Sequence, residues 1–311
     1  MLCSVVINNY NYEQYLAEAI ESVLDQTCRD IQIIIVDDGS TDRSVAIAET
    51  YTDRNVILVP KENGGQLSCF NTALPYLEGE YVFFLDSDDF YDREYLEKAV
   101  AYYRKNEICD FLFSIPRFVD KDGKNMGKKT GKHRSKGHYG YSAVITYSEK
   151  LWIGAPTSCI SMKRELLEKI LPLPYEDEWV IRADDCLIWA ASLKGGYKCH
   201  LNTSMVNYRI HGQNYFQNRE IPPHKKYLRE LAINRLFAFL ARDMETSSLP
   251  ELLRYEFAAL PELTFKDLTV YLKGIRNSTL AWTKKLRQTR KVICHYVMNR
   301  SSKRPSPSEW S

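Results

Sequence analysis

Apolar residues along the first 100 positions alternate between short continuous runs and stripes of helical spacing. Residues 2–7, 31–36, 56–59 and 81–85 are runs of strand length that are apolar on both faces. That pattern suits strands covered on both sides, as in a parallel sheet. Between the runs, Leu16, Ala19, Ile20, Val23 and Leu24 keep the spacing of one helical face. Leu67, Phe70, Leu74 and Leu77 keep it again, with Pro75 placed to end or kink that helix. Ser40 or Thr41 is positioned to cap a helix running to about Tyr51. Four strand–helix alternations within about 90 residues predict a doubly wound α/β sheet.

The rhythm loosens afterwards. A helix carries Tyr95, Leu96, Ala99 and Tyr102, and residues 108–115 form a strand. A hairpin turn is expected at Val119-Asp120-Lys121-Asp122-Gly123, followed by a basic loop rich in Gly and Ser over residues 124–140. Residues 159–162 read as a strand before a helix to Ile170 and a Pro-rich turn. Ala183-Asp184-Asp185 opens a helix through Leu193, stopped by Gly195-Gly196, and residues 205–210 make a late strand. From Lys225 onward the pattern is helical, and Pro305-Ser306-Pro307-Ser308 marks residues 301–311 as a disordered tail. The expected organisation is one domain in two halves, 1–105 and 106–222, then a helical extension over 223–300 and the tail.

Composition changes this picture in three ways. With 311 residues, 44% of them hydrophobic, the chain can bury a sizeable core. No apolar run approaches the ~20 residues of a membrane span, and the opening strand leaves no room for a signal peptide. The 8 cysteines include no Cys-x-x-Cys pair, so they read as reduced core thiols of a cytoplasmic protein. No nucleic-acid partner is expected.

The net charge of +2 conceals an asymmetry: residues 261–311 hold 11 Lys+Arg against 3 Asp+Glu, the remainder 31 against 37. A basic end on an acidic body suggests contact with an anionic surface. Leu268, Val270, Tyr271, Leu272 and Ile275 stand beside Lys273 and Arg276. Trp282, Leu286, Val292, Ile293 and Tyr296 alternate with Lys284, Lys285, Arg287, Arg290 and Lys291. Such stretches fit a peripheral contact with the inner face of a membrane, an ordinary packed helix or a homodimer contact.

Candidate chemistry gathers at strand ends. Tyr81-Val82-Phe83-Phe84-Leu85 runs straight into Asp86-Ser87-Asp88-Asp89. Open α/β sheets bind ligands at the carboxyl edge of their strands. Carboxylates one residue apart can hold a hard divalent cation, which in turn holds phosphate oxygens. Asp37-Asp38 ends the second run, on the same edge if the strands are parallel. A capped acidic turn would look the same; as a donor site, Asp38 would accept from a pyrimidine imide N–H. Asp86 would then accept from ribose hydroxyls and leave Asp88 for the metal, with Asp89 merely starting the next turn.

Four motifs together resemble a family. Ser4-Val5-Val6-Ile7 with Tyr10-Asn11-Tyr12 and Ile34-Ile35-Val36-Asp37-Asp38-Gly39-Ser40-Thr41-Asp42 are similar to the opening of a family 2 glycosyltransferase. Glu62-Asn63-Gly64-Gly65 with Asn71, and Gly79-Glu80 through Asp89, follow in order at the family's spacing. Phe70 and Cys69 depart from it, standing where an Arg and a small residue are common, so that helix is not expected to contact phosphate.

The resemblance implies a Rossmann-like glycosyltransferase A-type fold, its central sheet mostly parallel, with a helical C-terminal extension. It implies a metal-dependent, inverting transfer from a nucleotide sugar, read as a UDP-sugar, to a hydroxyl of a glycan or lipid-linked acceptor. Residues 1–105 would bind the donor, through Asn8, Tyr10, Asp38, Asn63, Asp86 and Ser87. Asp88 and His211 would hold the metal, Mn2+ or Mg2+; the imidazole ligand favours Mn2+. His211 enters through Tyr208-Arg209-Ile210-His211 with Asn214, similar to the family's closing Arg-x-His motif, and would reach either metal or diphosphate.

An inverting displacement also needs a carboxylate to deprotonate the acceptor. Asp184-Asp185-Cys186-Leu187-Ile188-Trp189 resembles the family's acidic pair, which assigns Asp185 as base and Asp184 to acceptor contact or helix capping. Trp152 and Gly154-Ala155-Pro156-Thr157-Ser158 lie where the family builds its acceptor pocket, and Lys128–Arg134 reads as a solvated loop or a lid on the diphosphate. A non-catalytic nucleotide-sugar-binding or regulatory member would keep the donor half alone. A phosphoacceptor receiver domain would need its acidic pair after the first strand, and here the pair follows the second.

Overall fold

The computed structural model describes residues 2–52, 54–127, 137–212 and 222–301. Strand β1 (Cys3–Asn9) pairs in parallel with β2 (Ile31–Asp37), and β3 (Val56–Pro60) extends the sheet beyond β2. On the other side of β1 lies β4 (Tyr81–Asp86), again parallel. Val5, Val6, Ile7, Phe83 and Leu85 are fully buried, which is why these runs are apolar on both faces. Helix α1 (Leu16–Leu24) buries Leu16, Ala19, Ile20 and Val23 against this sheet.

Helix α2 (Ser44–Glu49) is not capped by Ser40 or Thr41. Ser40 instead donates its hydroxyl to Asp37 Oδ2 at 2.7 Å, and Asn11 Oδ1 accepts from the Thr41 N–H at 2.7 Å. The acidic turn competes successfully for the hydroxyl that sequence spacing assigned to the helix. Helix α3 (Gln66–Ala73) ends where Pro75 enters a single 3-10 turn, as its ring requires.

The second half completes the same sheet. Strand β5 (Phe90–Tyr91) and helix α4 (Tyr95–Lys105) precede β6 (Phe111–Val119), which starts later and runs further than the 108–115 expected. Ile108 is half exposed, and the strand passes Pro116 at a register shift, where a missing N–H is tolerated. The turn after Val119 closes through Gly123 N–H to Asp120 C=O at 3.0 Å. Strand β7 (His138–Gly140) and helix α5 (Ala143–Glu149) follow, neither foreseen.

Strand β8 (Ile160–Lys163), helices α6 (Arg164–Ile170) and α7 (Ala183–Leu193), and strand β9 (Lys198–Arg209) finish it. The sheet order is β3-β2-β1-β4-β8-β6-β9-β5, with β7 beside β9. Only β8, β5 and β7 pair antiparallel to their neighbours.

Four more helices lie beyond: α8 (Pro223–Leu240), α9 (Leu249–Ala258), α10 (Phe265–Asn277) and α11 (Trp282–Ser301). The apolar face of α8 joins the main core through Leu236 and Leu240. Helices α9 to α11 enclose a second core with α5, built on Ile145, Leu253, Phe257, Tyr271, Ile275 and Val292. Glu256 ties α9 to α5 and α10, accepting from the Val144 and Ile145 N–H groups at the start of α5 and from the Tyr271 hydroxyl. All eight cysteines are free thiols.

Candidate active site

Parallel pairing decides where the acids go. Asn8 on β1 stands opposite Asp86 on β4, and Asn9 opposite Asp37 on β2. Asp86 Oδ1 accepts from Asn8 Nδ2 at 3.0 Å and from Gln66 Nε2 at 2.9 Å. Burial, then the charge of Asp88, pushes the Asp86 carboxyl up to about 7, against the pull of its Asn8 and Gln66 donors.

Beyond Asp86 the chain turns sharply, and two of the following acids take different tasks. His211 Nε2 and Asp88 Oδ2 lie 2.9 Å apart, with Tyr12 and Tyr15 packed against the imidazole. Asp89 does more than start the next turn. It is buried, accepts from Arg209 N–H at 2.7 Å and from the Ser158 hydroxyl at 2.5 Å, and so joins β4 to β9. Arg209 adds a hydrogen bond from Nε to the Asp88 carbonyl at 2.7 Å and an ion pair with Glu18.

The carboxylate oxygens of Asp86, Asp88 and Asp89 come within 4.8 Å of one another. Asp89 has a donor on each oxygen already, so Asp88 and His211, with Asp86 behind them, are the residues whose chemistry fits a divalent cation.

Asp38 is buried at the end of β2 and anchors the turn before α3. Its Oδ1 accepts from Lys61 Nζ at 2.7 Å and Gly64 N–H at 2.8 Å, its Oδ2 from Gly65 N–H at 2.7 Å and Asn63 Nδ2 at 3.2 Å. Gly65 has φ +86°, and a Cβ there would lie 2.3 Å from Val180 Cα. That closeness lets Gln66 N–H donate to Val180 C=O at 2.8 Å. The first donors of α3 are thereby taken by the chain leading to α7.

The two acids of the pair sit in different surroundings. Asp185 is buried, accepting from Trp152 Nε1 at 2.7 Å, Arg182 Nη2 at 3.0 Å and Arg229 Nη2 at 2.5 Å. Arg229 also stacks at 4.1 Å over the Trp179 ring. Asp184, about 100° round the helix, lines the cleft instead. Burial, then Asp185 and Asp86, pushes Asp184 up to about 7. The difference in setting has a tertiary cause: Arg229 comes from α8, over forty residues on.

All of this opens on one cleft of about 860 Å³. Asn8, Tyr10, Asp38, Asn63, Asp86, Ser87, Asp88 and Asp184 line it, joined by Trp152, Thr157 and Tyr208. His211 meets it through Asp88. Two polar side chains of the lining escaped the sequence reading. Gln66 bonds Asp86, Thr157 Oγ1 at 3.2 Å and, through Oε1, the Ala183 N–H at 2.8 Å, so it rivets β4 to the start of α7. Arg182 reaches the rim with a left-handed backbone, φ 59°. Nothing in their local sequence marks either one. The Lys128–Arg134 loop, Asn214 and the tail lie outside the described residues.

A mostly parallel sheet with acids converging on its carboxyl edge, closed by a helix bearing a second acidic pair, fits a glycosyltransferase of A-type fold. The sequence profile of Glycosyl transferase family 2 matches residues 4–171, and the chain belongs to that family. It is similar to an uncharacterized glycosyltransferase of Nostoc sp., 35% identical over 218 residues, covering 69% of this chain and 66% of the relative. It is also similar to the minor teichoic acid biosynthesis protein GgaB of Bacillus subtilis, 34% identical over 54% of this chain but only 19% of that protein. The chain thus spans less than two thirds of both.

Among solved structures, S. aureus TarS 1–349 in complex with UDP-GlcNAc superposes with TM-score 0.63 at 21% identity, covering 95% of this chain and 89% of that one. A mannosyltransferase of Pyrobaculum calidifontis, bound to GDP-Man and Mn2+, gives TM-score 0.50 at 19% identity, covering 97% and 88%. Both share the fold.

Proposed function

We propose that this glycosyltransferase moves a sugar from a UDP-sugar to an acceptor hydroxyl with inversion, in the assembly of a polysaccharide or teichoic-acid-type glycan. The observation that carries it is the meeting of Asp86, Asp88 and Asp184 on one cleft. Asp38 and Asn63 would read the base, with Asn8 and Tyr10 beside it, and Asp86 and Ser87 the ribose. The UDP-GlcNAc complex of TarS supports a uridine donor, and the teichoic acid role of GgaB supports the acceptor class.

Asp88 and His211 would hold the divalent cation, Mn2+ before Mg2+, whose charge stabilises the departing diphosphate. The acceptor oxygen bonds to the anomeric carbon as the bond to the diphosphate breaks, and its proton passes to Asp184. A carboxylate of pKa near 7 is suited to that task at neutral pH. Asp185, held by two guanidinium groups and an indole, fixes the start of α7 and keeps Trp152 at the acceptor side. Arg182 favours one second reading: if it turns to the diphosphate, Asp185 is freed to serve as base, as the family motif implies.

The division into a donor half over 1–105, an acceptor half over 106–222 and an extension from 223 remains our proposal for how these tasks are shared. The test is a thermal-shift panel of nucleotide sugars with and without Mn2+. Ligand that binds only the folded state raises its melting temperature. Stabilisation by UDP-sugars that needs Mn2+ is expected; stabilisation by guanosine or adenosine sugars alone would overturn the uridine reading.

A further inference from the structure

Helix α11 carries three distinct rows of side chains. Gln288, Val292 and Tyr296, spaced by four, are buried against the second core. Trp282, Leu286 and Ile293, spaced by four and seven, form a row on another side and are 72%, 52% and 40% exposed. Lys284, Arg287 and Lys291 form the third row, and Arg290 borders the apolar one. The helix contains no acidic residue. Among the described residues Lys284 pairs with Glu251, while no carboxylate pairs with Arg287, Arg290 or Lys291.

On the neighbouring helix α9, Arg254 lies 3.9 Å over the half-exposed Tyr255 ring. The positive charges crowd: Arg254, then slight desolvation and the charge of Arg287, hold the Lys291 ammonium below its usual range.

We infer that this side of α11 docks onto an anionic phospholipid surface, with Trp282, Leu286 and Ile293 entering the interface and Arg287, Arg290 and Lys291 meeting the headgroups. Exposed apolar residues alone would suit any partner. The charge selects among them. A second copy packed across a two-fold axis would set this cation row against itself, with no acid on the helix to offset it. An anionic bilayer answers both rows at once, since indole and aliphatic side chains settle at the headgroup boundary while Lys and Arg reach outward. The helix, about 30 Å long, lies on the membrane in this arrangement. No described helix is long and apolar enough to cross one.

The experiment is co-sedimentation of the full chain with vesicles of phosphatidylcholine alone or with about a third phosphatidylglycerol. Partition onto the anionic vesicles is expected, with a blue shift of tryptophan emission that Trp282→Phe diminishes. Replacing Arg287, Arg290 and Lys291 together by Glu should lower partition by at least about tenfold, and raised salt should do the same. Leu286→Glu should weaken it with no change in melting temperature or donor-induced stabilisation, which keeps a folding failure distinguishable. Absent partition, or equal partition onto neutral vesicles, would overturn the inference. So would lipid-free self-association abolished by Leu286→Glu, which would assign this side to a second copy.

Discussion

His211 Nε2 lies 2.9 Å from Asp88 Oδ2, although 123 residues separate the two in sequence. The contact exists because β9 carries His211 to the strand-end turn that presents Asp88, and Arg209 and Asp89 lock that meeting from behind. If the pair holds the cation, His211→Ala and Asp88→Asn should each weaken Mn2+-dependent stabilisation by a nucleotide sugar by roughly tenfold in apparent affinity. Titration of Mn2+ in a thermal-shift assay measures this, and an unchanged midpoint would remove the residue from the metal site.

The two acids of α7 should behave differently. Asp184→Asn is expected to leave donor binding intact while turnover falls by at least about a hundredfold. Asp185→Asn should instead lower stability by about 1–3 kcal/mol, because buried donors from Trp152, Arg182 and Arg229 lose their acceptor. Turnover that survives in Asp184→Asn but vanishes in a folded Asp185→Asn would reverse the assignment.

Asp184 also predicts a pH signature. Its carboxyl is raised to about 7 in the folded chain. Between the unfolded value near 4 and the folded value near 7, the native state holds the proton more tightly than the unfolded one. Stability therefore falls as pH rises through this window and levels off above it. Asp184→Asn should remove its part of that slope, which Asp86 shares, so the inactive variant melts higher than the parent at pH 8 and not at pH 4. The rate of transfer should show an acid limb with an apparent pKa near 7 that the same substitution abolishes.

Gln66 links Asp86 to the Ala183 N–H that opens α7. Gln66→Ala should lower kcat by roughly tenfold or more through lost positioning, with a smaller change in donor KM. Gln66→Glu would place a carboxylate against Asp86, and at pH 8 it should impair donor binding as well. A variant with parental kcat would show that Gln66 merely fills the cleft floor.

Much of this was legible from local pattern. Strands β1 to β4 are covered on both faces, so each shows as an unbroken apolar run, and parallel pairing then had to bring Asp38, Asp86 and Asp88 to one edge. The family likeness rested on those same turns, because turn chemistry is written locally. Helix α5 and strand β7 were not legible: each is short, and Ala143 to Glu149 is helical because Glu256, more than a hundred residues on, holds its first N–H groups.

Sequence alone determined that the chain folds as an α/β sheet with acids at its carboxyl edge, since apolar runs and acidic turns are local properties of neighbouring residues. Tertiary structure decided where each acid sits. Asp184 and Asp185 differ by one position and are alike in chemistry. Only the approach of Arg229 from α8, together with Arg182 and Trp152, draws Asp185 inward and leaves Asp184 to the cleft. Likewise Asp89 is a tie between strands because β9 happens to offer Arg209 N–H beside it. Charge and hydrogen-bond partners brought from distant elements have no trace in a local pattern, and they set which way each acid faces.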